Sequence, residues 1–99
     1  MKAFVTGGHG FLGQHLIRYL KAAGYEVEAP SSKDCDLRYL ASLDRYKDNF
    51  DLIYHLAAYT QAGDWCVKHP GEQWIVNQQI NTNVLTWWFN NHQRTKIIA

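Results

Sequence analysis

Four glycines fall within residues 7–13, in the stretch Thr6-Gly7-Gly8-His9-Gly10-Phe11-Leu12-Gly13. Crowding glycines into a turn strips it of side chains, and what a bare turn offers chemically is main-chain N–H groups that a phosphate can approach. Three spacings are readable. Gly8-x-x-x-x-Gly13 has P-loop spacing, but that loop needs Lys and then Ser or Thr, and Gln14 and His15 follow instead. Gly8-x-Gly10-x-x-Gly13 and Gly7-x-x-Gly10-x-x-Gly13 both suit a turn that binds the paired phosphates of a dinucleotide, and spacing alone leaves them equal. His9, between glycines, reads as an exposed loop residue. Cys66-x-x-His69 has metal-ligand chemistry but no second pair at metal spacing, so no metal site is expected. Cys35 and Cys66 are too few for a disulfide framework and read as reduced, partly buried thiols.

A glycine turn of this kind is informative only between a strand and a helix. Residues 2–6, Lys-Ala-Phe-Val-Thr, are strand formers that the glycines terminate. From Phe11 to Ala23, Leu12, Leu16, Tyr19 and Leu20 recur at helical spacing, and Gly24 supplies a stop. Residues 25–29 alternate and predict a second strand, closed by Pro30 and two serines. A polar loop leads to a short helical stretch over Tyr39–Tyr46, with Leu40 and Leu43 facing inward. Residues 51–58, Asp-Leu-Ile-Tyr-His-Leu-Ala-Ala, form a nearly continuous apolar run, which suits a central parallel strand covered on both faces. Beyond a loop bracketed by Gly63 and Pro70, a long helix is expected over Gly71–His92, with Val76, Ile80, Val84 and Trp87 on one face. A fourth strand begins at Lys96. Alternation of this kind predicts a Rossmann-type α/β fold: a parallel sheet of about four strands, right-handed crossovers and helices on both faces.

Composition agrees with one small domain over residues 1–99. Apolar residues make up 46% of the chain, and ten basic residues face nine acidic ones. No basic block exists to neutralise a phosphate backbone, so nucleic acid is not an expected partner. The opening Met1–Gly8 is too short for a signal peptide and no apolar run approaches the about 20 residues of a membrane span, so a cytoplasmic chain without a membrane partner is expected.

In the strand–turn–helix context, the first glycine permits a backbone angle other residues resist, the middle one admits the pyrophosphate, and the third lets the helix pack on the strand. The helix mouth then presents unpaired N–H groups and a partial positive charge.

Three segments together resemble a known family. Thr6-Gly-Gly-His-Gly-Phe-Leu-Gly13, Asp51-Leu-Ile-Tyr-His-Leu-Ala-Ala-Tyr-Thr60 and Asn77-Gln-Gln-Ile-Asn-Thr-Asn-Val-Leu85 are similar, in order, to motifs of the extended short-chain dehydrogenase/reductases that act on nucleotide sugars, the NAD-dependent epimerase/dehydratase family. The short link through Asp36 and the Ala57-Ala58-Tyr59-Thr60 run resemble its reductase branch, that of dTDP-4-dehydrorhamnose reductase and GDP-fucose synthase. The resemblance implies cofactor roles. Gly7, Gly10 and Gly13, with the Phe11 and Leu12 amides, would hold the pyrophosphate. Asp36 and Leu37 would contact adenine, Asp36 accepting from the exocyclic amine. Leu56, Ala57, Ala58, Tyr59 and Thr60 would line the path to the nicotinamide ribose, and Asn77 would lie near the nicotinamide. Asn83 would bond backbone within the domain. Ile80 and Asn81 depart from the motif, which carries Gly-Thr there.

An acid at the end of the second strand would select NAD by binding the ribose 2′-hydroxyl. That position falls on Ser31. Ser31, Ser32 and Lys33 together favour NADP, whose 2′-phosphate they can meet with hydrogen bonds and a positive charge. Glu26 or Glu28 would instead hold the ribose of NAD if the strand ends earlier.

Chemistry in this family also requires a Tyr with Lys four residues later and a Ser or Thr that orients the substrate. No Tyr in this chain is followed by Lys at that spacing. The chain is therefore expected to be the cofactor-binding N-terminal part of a nucleotide-sugar reductase, epimerase or dehydratase, inactive alone, with the catalytic and substrate parts absent. The alternative is a stand-alone binding or regulatory module that holds a dinucleotide without turnover, or assembles with another chain. The apolar edge at Lys96–Ala99 and one outward ring of Trp87-Trp88-Phe89 predict association, including a homo-oligomer.

Overall fold

The computed structural model describes residues 1–58 and 70–99, so Tyr59, Thr60, Cys66 and His69 lie outside the described residues. Strand β1 spans Lys2–Thr6 and helix α1 Phe11–Ala22. Strand β2 is Glu26–Glu28, a 3-10 turn covers Leu40–Leu43, and strand β3 is Leu52–His55. Helix α2 runs from Pro70 to Asn91 and strand β4 from Lys96 to Ile98. Pro70 suits the first position of a helix, where its missing N–H costs nothing. Gly24 ends α1 with a φ of 92°, an angle that side-chain-bearing residues resist.

All four strands are parallel, in the order β2-β1-β3-β4. The fold is the expected Rossmann-type α/β sheet. The chain leaves β1 to pair on one side with β2 and then returns to pair on the other with β3. Order therefore reverses at β1 and β3, and a crevice opens beyond their C-terminal ends.

Side chains alternate across the strands and divide the core in two. Ala3 and Val5 of β1 pack with Leu20, Leu16 and Ile17 of α1 and with Leu52 and Tyr54 of β3. Phe4 and Ile53 face the other way, into a cluster with Leu43, Tyr46, Phe50, Val84 and Trp87. The Trp87 indole N–H, deep in that cluster, donates to the Tyr46 carbonyl at 3.0 Å, and His92 Nε2 donates to the same oxygen at 3.1 Å.

Some details differ from the sequence reading. Leu12 and Tyr19 are largely exposed, and the inward face of α1 is Gly13, Leu16, Ile17 and Leu20. The helical period holds, but its phase is set by Gly13, the residue that must face the Gly7–Gly8 turn. Leu40 points outward while Leu43 is buried, because a single 3-10 turn places only one of them over the sheet. Strand pairing in β2 stops at Glu28, one residue short of the expected end. Of the three consecutive aromatics, Trp87 is buried, Trp88 half-buried and Phe89 exposed, as a helix requires.

Candidate functional site

Gly7 begins the turn after β1 with a φ of 70°. A Cβ there would lie 2.7 Å from the Ala57 nitrogen and 2.8 Å from the Leu56 carbonyl carbon. Only glycine lets the turn after β1 lie that close to the segment after β3. A Cβ on Gly13 would overlap the Gly7 carbonyl oxygen and the Gly8 Cα. The Gly7-x-x-Gly10-x-x-Gly13 reading thus matches the turn's geometry, with Gly7 in the tight position and Gly13 at the packing contact. Gly8 is also packed, 2.7 Å from Ile17 Cδ1 by the same measure.

Gly10 is different. It is exposed, and a Cβ on it would meet only the Gly7 oxygen, at 3.4 Å. Nothing in the protein's own packing explains a glycine there, whereas a ligand approaching the turn would. Gly10 caps α1 with no side-chain hydrogen bond, and the first intrahelical bond runs from the Gln14 N–H to the Gly10 carbonyl at 2.9 Å. The Phe11, Leu12 and Gly13 amides therefore meet no hydrogen-bond acceptor among the described residues. They form an anion-ready helix mouth, and these features fit a bound pyrophosphate.

A cleft of about 660 Å³ opens at the C-terminal ends of β1 and β3. It brings together Gly7, Gly10, Ser32, Asp36, Leu37, Leu56, Ala57 and Ala58 of the sequence-predicted residues. Ser31, Lys33 and Asn77 do not line it. Ser31 Oγ donates to the Asp34 carboxylate at 3.3 Å, and Asn77 sits half-buried on α2 one turn before Ile80. Neither Glu26 nor Glu28 reaches the cleft.

The floor is built by two strands and a helix. Thr6 and His55 are register partners, both on the face toward α2. Thr6 Oγ1 accepts from the Leu56 and Ala57 amides, each at 3.1 Å, which uses both lone pairs. Its proton is left for His55 Nδ1, 2.6 Å away. His55 must then carry its own proton on Nε2, which donates to Asn81 Oδ1 at 2.8 Å.

The opposite wall is equally fixed. The Asp36 carbonyl accepts from the Tyr39 amide at 3.0 Å and from Ser42 Oγ at 2.6 Å, and Asn83 Nδ2 donates to the Leu37 carbonyl at 2.9 Å. Arg38 holds the Asp36 carboxylate from two sides and keeps its pKa below the usual carboxylate range, chiefly by hydrogen bonding. Cys35 lies buried beside it, and desolvation pushes its thiol pKa up. Sequence reasoning missed Arg38, His9 and Cys35 as lining residues. Arg38 had a signal, since a cation two residues after a carboxylate in a turn can fold back on it.

The sequence pattern of the NAD dependent epimerase/dehydratase family matches residues 3–99. The chain belongs to that family. GDP-L-colitose synthase of Yersinia pseudotuberculosis is 31% identical over an alignment of 98 residues that covers 95% of this chain and 31% of that protein. A solved dTDP-4-dehydrorhamnose reductase of Clostridium acetobutylicum shares the fold at a TM-score of 0.79, with 22% identity over 98% of this chain and 34% of its own. A GDP-L-fucose synthetase of Naegleria fowleri bound to NADP matches at 0.69, with 25% identity over 90% of this chain and 27% of its own. The chain spans about a third of the length of these relatives.

Against the family motif, the departures at Ile80 and Asn81 now have places. Ile80 fills a buried position on the cleft wall where the motif has no side chain. Asn81 is the partner of His55. Among the described residues no cluster of side chains could hold a metal ion, and no helix is long and apolar enough to cross a membrane.

Proposed function

We propose that this chain is the dinucleotide-binding part of a nucleotide-sugar reductase or epimerase of its family, and that NADP is its cofactor. The observation that carries the reading is the helix mouth: Gly10 without a packing reason to be glycine, beside three amides that meet no acceptor among the described residues. When bound, the cofactor supplies hydride transfer; the chain's own residues hold it. Phe11, Leu12 and Gly13 amides would receive the pyrophosphate. Asp36 and Leu37 would face the adenine, and Leu56, Ala57 and Ala58 the nicotinamide half, with Tyr59, Thr60 and Asn77 beyond.

NADP is favoured because Ser32 reaches the cleft while Glu26 and Glu28, the acids that would select NAD, do not. Ser31 and Lys33 flank Ser32 and complete the polar end of the loop. A nucleotide sugar is the proposed substrate class of the whole enzyme, in keeping with the names of its relatives. With no Tyr-x-x-x-Lys in these residues, the 99-residue chain is expected to bind without turnover.

Calorimetric titration of the chain with NADPH and NADH tests this. Saturable binding with NADPH the tighter is expected. Tighter NADH binding would reject the NADP assignment, and no binding of either would reject the site.

A further inference from the structure

We propose that Arg38 is a positioning residue that makes the cleft selective for an amino-purine over an oxo-purine, by fixing the free acceptor of Asp36. This rests on the dinucleotide reading above and adds to it a residue outside the three motif segments quoted for the family.

Three donors from one residue converge on the Asp36 carboxylate. The Arg38 backbone N–H reaches Oδ1 at 3.1 Å, its Nε reaches Oδ1 at 3.0 Å, and its Nη2 reaches Oδ2 at 2.6 Å. An exposed ion pair of this kind contributes little to stability. What a forked pair does supply is orientation, because two parallel bonds fix the carboxylate plane. Here the main chain beneath is pinned as well, by Tyr39 and Ser42 at the Asp36 carbonyl and by Asn83 at the next one. So many restraints on an exposed loop carboxylate are more than its packing calls for, and both Asp36 and Arg38 line the cleft.

Lone-pair counting gives the consequence. An ionised carboxylate has about four acceptor sites, two on each oxygen. Arg38 occupies both on Oδ1 and one on Oδ2, leaving a single acceptor on Oδ2. A purine presenting an exocyclic amine can donate to it; a purine presenting a carbonyl meets oxygen with oxygen. Released from Arg38, the carboxylate could turn away from the carbonyl, and the discrimination would fall.

The test is calorimetric titration of the 99-residue chain with NADPH and with reduced nicotinamide hypoxanthine dinucleotide phosphate, which differ only in the 6-amino or 6-oxo group. Wild type is expected to bind the amino form about tenfold tighter or more, the loss expected when a hydrogen bond to a charged group is left unmade. Arg38→Met should reduce that ratio to about threefold or less with an unchanged circular dichroism spectrum, and Arg38→Lys, which keeps charge without the fork, should restore it only in part. Equal binding of the two dinucleotides by wild type, or an undiminished ratio in Arg38→Met, would overturn the role of Arg38 while leaving cofactor binding intact. Absence of binding to wild type by either would instead reject the dinucleotide site, and this inference with it.

Discussion

His55 Nε2 donates to Asn81 Oδ1 across 2.8 Å, tying strand β3 to helix α2 beneath the cleft. On its other side the same ring accepts from Thr6, which also holds the Leu56 and Ala57 amides. The two ends of this chain differ in burial, since Thr6 is 3% exposed and Asn81 lies at the surface. Water can replace Asn81 but cannot replace Thr6. Asn81→Ala should therefore cost about 1 kcal/mol and Thr6→Val about 2–3 kcal/mol, the usual penalty for orphaned buried groups. Thr6→Ser, which retains the hydroxyl, should lose less. Urea denaturation of the three variants measures the order, and equal losses for Asn81→Ala and Thr6→Val would show that His55 is not the link.

Gly10 and Gly13 separate binding from packing. Ala at Gly13 drives a methyl group into the backbone of Gly7 and Gly8, which cannot move without opening the turn. A loss of about 3 kcal/mol is expected, at the high end for overpacking. Ala at Gly10 touches only the Gly7 oxygen, at 3.4 Å, and gives up little beyond glycine's small advantage as a helix cap, about 1 kcal/mol. Its dinucleotide affinity should nonetheless fall about tenfold or more, because the methyl group occupies the approach to the amides. Thermal melts together with NADPH titration distinguish the two effects. A Gly10→Ala protein that binds as wild type does would remove the main support for the proposed site.

The same contrast shows what the sequence could and could not reveal. The glycine spacing placed the turn, and the alternation of apolar runs placed every strand, because both follow from local geometry. Which of Gly7 and Gly8 is the tight position depends on how near β3 lies, and that is a long-range contact. Leu12 and Tyr19 fit the helical period yet face solvent, since the period sets spacing and Gly13 sets phase. Ser31 and Lys33 follow the strand end that the sequence indicates but do not reach the cleft, whereas Arg38 does by folding back onto Asp36. A loop's path is settled by its own hydrogen bonds, and no periodicity records them.

Asp36 offers a pH signature. Its pKa is lowered in the folded chain, first through the Arg38 side-chain hydrogen bonds. A lowered carboxylate pKa stabilises the fold above the unfolded value of about 3.9 and loses that contribution as pH falls through the folded value. With the Arg38 and Asp36 side chains 48% and 37% exposed, the stability involved is small. Titration is the sharper measurement. Carboxyl carbon NMR should find Asp36 ionising below the ordinary range in wild type and returning to it in Arg38→Met. An Asp36 pKa unchanged by the substitution would mean that the forked pair does not persist in solution.

Cys35 should be a slow thiol. It is 3% exposed, its sulfur lies 3.5 Å from Ser42 Oγ, and burial raises its pKa above the ordinary value of about 8.5. Both low access and a small thiolate fraction oppose reaction at neutral pH. In a Cys66→Ser background, which leaves a single cysteine, labelling by a charged aromatic disulfide should be at least about tenfold slower than for an unfolded control in urea. Raising the pH should accelerate it only as the thiolate forms, at a pH above that of a free cysteine. Because Cys35 lines the cleft wall, saturating NADPH should slow labelling further. Fast labelling of the folded chain at neutral pH would show that the loop holding Asp36 and Leu37 opens readily, and an opening wall could not keep the adenine in place.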